Sequence, residues 1–272
     1  MKTNDDARYL KTILDPIRVC ARYKPKFGQG RGDGLSLDQF RTLYQGDPFY
    51  NWFGLDNPLM YAAHKAAGGM TSVYRQIGIG CEHVFRQTLQ DALGLTEDAA
   101  KWSYEVKGAN NKTRTLYLDG RVPLPDIPNP AARARFHDWM KQSAASVGVT
   151  DGVFQSLTGT IFEVRQGYKS KDSKRQNADI ANAATAYVNA YLPCAVILSA
   201  QIDGDILSRY RGEKWACLTG LVGLNNPLVS TYDFMREVIG YDLAAFFERN
   251  STTLRTEIDN VLRALLTPEA TA

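Results

Sequence analysis

The 272 residues suffice for one large domain or two small ones. A 44% hydrophobic content beside 22% charged residues is enough for a substantial core and too apolar for a disordered chain. The run from Leu192 to Leu198 is broken by Pro193 and falls far short of the ~20 residues a membrane span needs. The opening MKTNDDARYL carries two adjacent acids and no apolar signal core. Four scattered cysteines (Cys20, Cys81, Cys194, Cys217) form no C-x-x-C pair, which argues against a zinc site or a disulfide scaffold. A cytoplasmic protein without membrane contact is expected.

The net charge of +3 is unevenly spread. Arg18, Arg22, Lys24, Lys26 and Arg31 share a window without an acid, and Arg165, Lys169, Lys171, Lys174 and Arg175 share another with only Asp172. The rest of the chain is therefore acidic. Two basic windows interleaved with Tyr23, Phe27 and Tyr168 suit a phosphate backbone, although either alone also reads as a solvated face.

In chain order, residues 1–70 read as short helices and turns around a Gly-rich loop, Gly28 to Gly34, that lacks the Lys-Ser/Thr of a Walker loop. Val84, Phe85, Leu89 and Leu93 fall at helical spacing, and Gly94 stops the helix. WSYEVKG and TRTLYLDG predict a β-hairpin, PLPDIPNP a stiff connector, and residues 131–145 a helix. Asp151-Gly-Val-Phe is expected to begin a short strand, and GTIFEVR the next one. Ile180, Ala183, Ala184, Tyr187, Val188 and Tyr191 predict an apolar helical face ended by Pro193, before a buried strand CAVILSA. Leu254, Ile258, Val261 and Leu265 mark a C-terminal helix whose stripe fits a core better than a dimer seam.

Three unclustered histidines, no H-E-x-x-H, no G-x-S-x-G and no G-x-G-x-x-G leave little room for zinc, serine-hydrolase or dinucleotide chemistry. The positive signal lies between Asp151 and Asn177. If Asp151 starts one strand and Glu163 lies on the antiparallel next, their carboxylates can share Mg²⁺, which polarises a phosphodiester and acidifies a water. Arg165, two residues on, shares the face of Glu163 and can stabilise charge building on phosphate. A hairpin with charged outer faces satisfies the same spacing.

Taken together, helix with Glu82, strand pair, Asp151, FEVR strand, helix and buried strand resemble the αβββαβ core of the PD-(D/E)XK nuclease superfamily, over about Thr71 to Gln201. Within it, TDGVF and GTIFEVRQGYKSKDSKRQNADI are similar to type II restriction endonucleases, nearest the ApaLI-like group. The resemblance implies an α/β (mixed α+β) fold, with a mixed central sheet flanked by helices. It implies one domain spanning 1–272, with helical additions at 1–70 and 202–272. It further implies Asp151 and Glu163 as Mg²⁺ ligands and Glu82 as the helix acid near the metal. Arg165 stands where the motif has lysine, and Lys169 competes for that role.

Lys171, Lys174, Arg175, Gln176 and Asn177 lie at a helix start suited to DNA, the lysines to phosphate and Gln176 and Asn177 to adenine edges. Three rival acids stand beside them: Asp119 at the end of TLYLD, Asp126 in a literal P-D within a Pro-rich loop, and Glu105 in a literal E-x-K with Lys107, although the last two come in the wrong order to be combined. For the first acid the order of preference is Asp151, Asp119, Asp126. The implied activity is Mg²⁺-dependent cleavage of double-stranded DNA at a short sequence by a homodimer, with a companion DNA methyltransferase in the host. Two alternatives stay open: a non-catalytic DNA-binding module with a decayed site, and a repair or RNA-processing nuclease.

Overall fold

The structure, a computed structural model, describes residues 3–28, 33–107, 113–167 and 182–268. The chain divides into two compact units, residues 1–3 with 81–248 and residues 4–80 with 249–272.

The second unit is helical. It holds α1 (Thr3–Val19), α2 (Leu37–Gln45), α3 (Pro48–Trp52), the first part of α4 (Pro58–Leu93) and most of α10 (Leu243–Leu266). Ser36 starts α2 with a reciprocal cap, its hydroxyl accepting from the Gln39 backbone while the Gln39 side chain accepts from the Ser36 N–H. Glycine lets α4 approach its neighbours. A Cβ at Gly80 would meet the Ile13 backbone at 2.9 Å, and one at Gly69 would overlap the Leu265 methyls. Val261 and Leu265 of the C-terminal stripe are buried within this unit and Leu254 and Ile258 half-buried, as core packing requires.

The first unit is built on a four-stranded sheet in the order β3 (Gly120–Pro123), β4 (Gly159–Arg165), β5 (Tyr191–Ile197), β6 (Ala216–Leu218). β3 runs antiparallel to β4, and β4, β5 and β6 are parallel. The fold is thus mixed α/β with a mixed sheet flanked by helices. GTIFEVR and YLPCAVI are almost continuously buried, as expected for parallel strands covered on both faces. Each parallel step needs a crossover, and α7 (residues 182–188) and α8 (Gly204–Gly212) supply helices for them. On one face Phe162 packs against Phe85 of α4, Trp139 of α5 (Pro130–Ser146) and Phe234 of α9 (Thr231–Phe234). On the other face Ile161 meets Trp102, Leu118 and Ala186, and Ala195 and Cys217 meet Ala183, Ile206, Tyr210 and Trp215. The expected hairpin forms a separate two-stranded sheet, β1 (Trp102–Lys107) with β2 (Thr113–Leu118).

Three local expectations are corrected. Asp151-Gly-Val-Phe is not a strand but a single helical turn, α6 (Asp151–Phe154), with Phe154 N–H donating to Thr150 and Gln155 N–H to Asp151. Phe154 decides this: it is buried and its ring lies 5.5 Å from His137 of α5, a contact that the turn delivers. Pro193 does not end α7. The helix stops at residue 188, Ala190 takes a positive φ of 62°, and Pro193 sits inside β5. It is tolerated because β6 pairs with β5 only from Cys194 onward, leaving one neighbouring strand at Pro193. The buried face of α7 is Ala183 and Ala186, while Ala184 and Val188 are exposed. Small residues let this helix lie close to the sheet.

Candidate active site

β4 carries its charges where a parallel sheet ends. Strand alternation places Ile161, Glu163 and Arg165 on the face opposite Phe162. Glu163 and Arg165 form an ion pair with side chains only 8% and 11% exposed. Beyond them the strand is tied to its parallel neighbour, Leu198 N–H donating to Arg165 and Ser199 N–H to Gln166. Carboxyl ends of parallel strands are where open α/β sheets bind ligands, because side chains and loops converge there.

The acid beside Glu163 is Asp119. Gly120 pairs with Phe162, so the preceding Asp119 lies next to Glu163 in the antiparallel ladder. Its N–H donates to Phe162 O at 3.0 Å, and its Oδ2 accepts from Val164 N–H at 2.8 Å. Asp119 therefore brackets Glu163 along β4 and fixes its own carboxylate there. Arg86 of α4 locks the same residue from the other side, its Nε donating to Asp119 O at 2.8 Å.

Asp151 is placed differently. It is exposed on α6, which leads into the amino end of β4, whereas Glu163 lies four residues farther along that strand, roughly 13 Å at the usual rise. The hairpin expected to join Asp151 to Glu163 does not form; the strand antiparallel to β4 is β3. Glu82 stands on α4, half-buried and one turn before Arg86, and α4 covers the Phe162 face. Glu105 is exposed on β1, and Asp126 is exposed in the 3-10 turn Leu124–Asp126. The side chain of Lys107 and residues Lys169, Lys171, Lys174, Arg175, Gln176 and Asn177 lie outside the described residues.

Next to Asp119 opens a cleft of about 650 Å³, lined by Arg86, Asp98, Lys101, Trp102, Ser103, Tyr117, Leu118, Asp119 and Arg121. Cations outnumber acids in its wall. Arg121 is fixed by donating to Ala99 O and Asp98 O, with its guanidinium 6.0 Å from the Trp102 ring centre. His83, one helix position from Glu82, is held below the ordinary imidazole range. Desolvation is the largest cause, the nearby Arg86 cation adds to it, and Asp119 opposes it. Of this lining, Arg86 left a signal in the sequence, four residues after Glu82 on one helix face; Lys101, just before β1, and Arg121, on β3, are brought together only by the tertiary fold.

As a donor set, Asp119 and Glu163 offer hard carboxylate oxygens at one strand end. Among the described residues no three His, Cys, Asp or Glu side chains gather closely enough to hold a metal ion. A pair still suits Mg²⁺, which commonly takes one or two carboxylates and completes its shell with water and phosphate oxygens. Among the described residues no helix is long and apolar enough to cross a membrane. The chain matches no protein-family model, and no curated protein and no solved structure is significantly similar to it.

Proposed function

We propose that this chain is a Mg²⁺-dependent endonuclease of the PD-(D/E)XK type, cutting double-stranded DNA at a short sequence as a restriction enzyme does. The observation that carries the reading is Asp119 docked across Glu163 at the carboxyl end of β4, where an acid starts the strand antiparallel to the acid–x–cation strand. In this reading Asp119 takes the place first given to Asp151, and Glu163 keeps its own. When bound, Mg²⁺ supplies polarisation of the phosphodiester and acidification of a water.

The chain's own residues do the rest. Asp119, held by Val164 N–H and Arg86, presents a pre-set carboxylate. Arg165 pairs with Glu163; Asp119 and Glu163 would hold the metal, and Arg165 would then hold a phosphate oxygen. A guanidinium with a pKa above ~12 stabilises charge without acting as a base. The cationic wall of the cleft holds the flanking backbone. A homodimer and a companion methyltransferase belong to the same proposal.

A second reading has its own support. The buried Glu163–Arg165 pair is also what a decayed site would retain as a structural ion pair, leaving a DNA-binding module. Incubating supercoiled plasmid with the full chain and Mg²⁺ separates the readings. Discrete fragments are expected; a smear would favour a repair-type or RNA-processing nuclease, and a mobility shift without cutting the binding module.

A further inference from the structure

A second cleft, of about 440 Å³, opens between α5 and the segment that follows β6, and none of the chemistry above uses it. Every residue of its wall belongs to the first unit. We propose that this cleft binds a small zwitterion of the α-amino-acid class, one with an apolar side chain.

The two walls are tied together. Arg135, Asp138, Trp139 and Gln142 stand at positions i, i+3, i+4 and i+7 of α5 and so share one face, roughly 10 Å long. Opposite them come Pro227 and Leu228, then Glu237 and Val238. Arg135 Nε donates to Val238 O and Trp139 Nε1 to Pro227 O, each at 2.8 Å. Glu237 and Val238 lie in a π-helical turn, Met235–Ile239, ended by Gly240 at a φ of 94°. Such turns are rare and occur frequently at functional sites.

These ties give the cleft two unlike ends. The Val238 contact brings Glu237 close to Arg135, and Asp138 is one helical turn along from it. Among the described residues Arg135 nonetheless forms no ion pair: Asp138 lies 3.7 Å from the adjacent His137 imidazole, and Glu237 Oε1 accepts from Arg236 at 2.7 Å. A cation and two carboxylates thus line one space without neutralising each other. The Trp139 contact makes the other end apolar, with Trp139 buried and Pro227 and Leu228 half-buried.

That layout selects the ligand. A carboxylate suits the terminal nitrogens of a guanidinium already anchored through Nε. An ammonium on the neighbouring carbon suits the carboxylates of Asp138 and Glu237. A phosphate or a dicarboxylate would meet those two like charges, and a simple amine would leave Arg135 unused. The apolar end takes the side chain, in a volume ordinary for a small-molecule site.

The proposal does not depend on the nuclease reading, and its test involves neither DNA nor metal. Isothermal titration calorimetry of the full chain uses L-leucine and L-phenylalanine as probes. Each is set beside its deaminated and decarboxylated analogues (isocaproate and isoamylamine, hydrocinnamate and phenethylamine). The expected result is saturable binding of at least one amino acid with a Kd of about 1 mM or tighter, and about 10-fold weaker binding of both its analogues. Arg135→Gln should weaken it by about 10-fold or more, with a thermal melt checking the fold because Arg135 also ties the walls. Asp138→Asn/Glu237→Gln alters only exposed groups and should weaken binding about 10-fold with the melt near wild type. No saturable binding of either amino acid up to about 10 mM overturns the proposal. So does an analogue that binds as tightly as its parent, or an acid double variant that binds it normally.

Discussion

Of the four Asp-Gly pairs in this chain, Asp119-Gly120 and Asp151-Gly152 are treated by the fold in opposite ways. Gly120 is buried in β3, where an added Cβ would press on Leu89 and Phe85 at 3.3 Å. Gly152 faces open space, with nothing within 4 Å. Asp119 is held through its N–H, its carbonyl and its carboxylate; Asp151 starts an exposed helical turn. A dipeptide cannot decide between these fates. What decides is whether α4 and β4 close over it.

The sharpest way to break this comparison is to neutralise the acids one at a time. Asp119→Asn and Glu163→Gln are each expected to lower single-turnover cleavage far more than 100-fold, since even the outer partners of a metal typically cost 10–100-fold. DNA binding should survive, and Asp151→Asn should cut within about twofold of wild type, as surface substitutions away from a site do. A dead Asp151→Asn beside an active Asp119→Asn would reverse the assignment.

Arg165 comes next. Arg165→Ala is expected to cost about 100-fold in the same assay, the range for one lost charge-stabilising donor. It also removes the buried Glu163–Arg165 ion pair, so denaturant unfolding should show a loss of stability. Arg165→Lys should restore most of the stability and part of the rate. If Lys169→Ala is inactive while Arg165→Ala cuts normally, the cation belongs to the segment after β4.

A smaller effect tests the cleft. Lys101→Gln should weaken binding to every DNA sequence alike and reduce the salt slope of log affinity by about one unit. Unchanged affinity and slope at Lys101 would place the backbone elsewhere.

The smallest effect concerns His83. Its folded pKa lies below the ordinary 6.5, chiefly through desolvation and then the Arg86 cation. The unfolded chain therefore takes up the proton first, and stability present above pH 6.5 is lost as the pH falls toward the folded pKa. His83→Asn should flatten that part of the stability curve, measured by urea midpoints between pH 5 and pH 8 (about the range over which imidazole titrates). An unaltered curve would mean that the folded chain does not hold His83 below its ordinary value.

Much of the framework was legible in residue order. The hairpin of β1 and β2, the helix before Gly94, the FEVR strand and the buried strand before Leu198 all follow from periodicity and turn residues. The shared face of Glu163 and Arg165 follows from strand alternation alone. The failures cluster where a local pattern is compatible with two states. DGVF has strand-forming Val and Phe, yet burial of one ring on α5 makes it helical. Pro193 looks like a helix terminator, yet β6 starts one residue later and spares its missing N–H.

What the sequence determined by itself is the list of elements and the polarity of their faces, because apolar spacing and capping act within a few residues. The partner of Glu163 was a different kind of question. It depended on which strand would pair with the edge of β4, and backbone hydrogen bonds between strands are blind to side-chain identity. Tertiary packing answered it. Phe85 and Leu89 press α4 onto Gly120, Arg86 fixes the Asp119 carbonyl, and β3 completes the ladder, so Asp119 lies beside Glu163 and Asp151 is left on the surface.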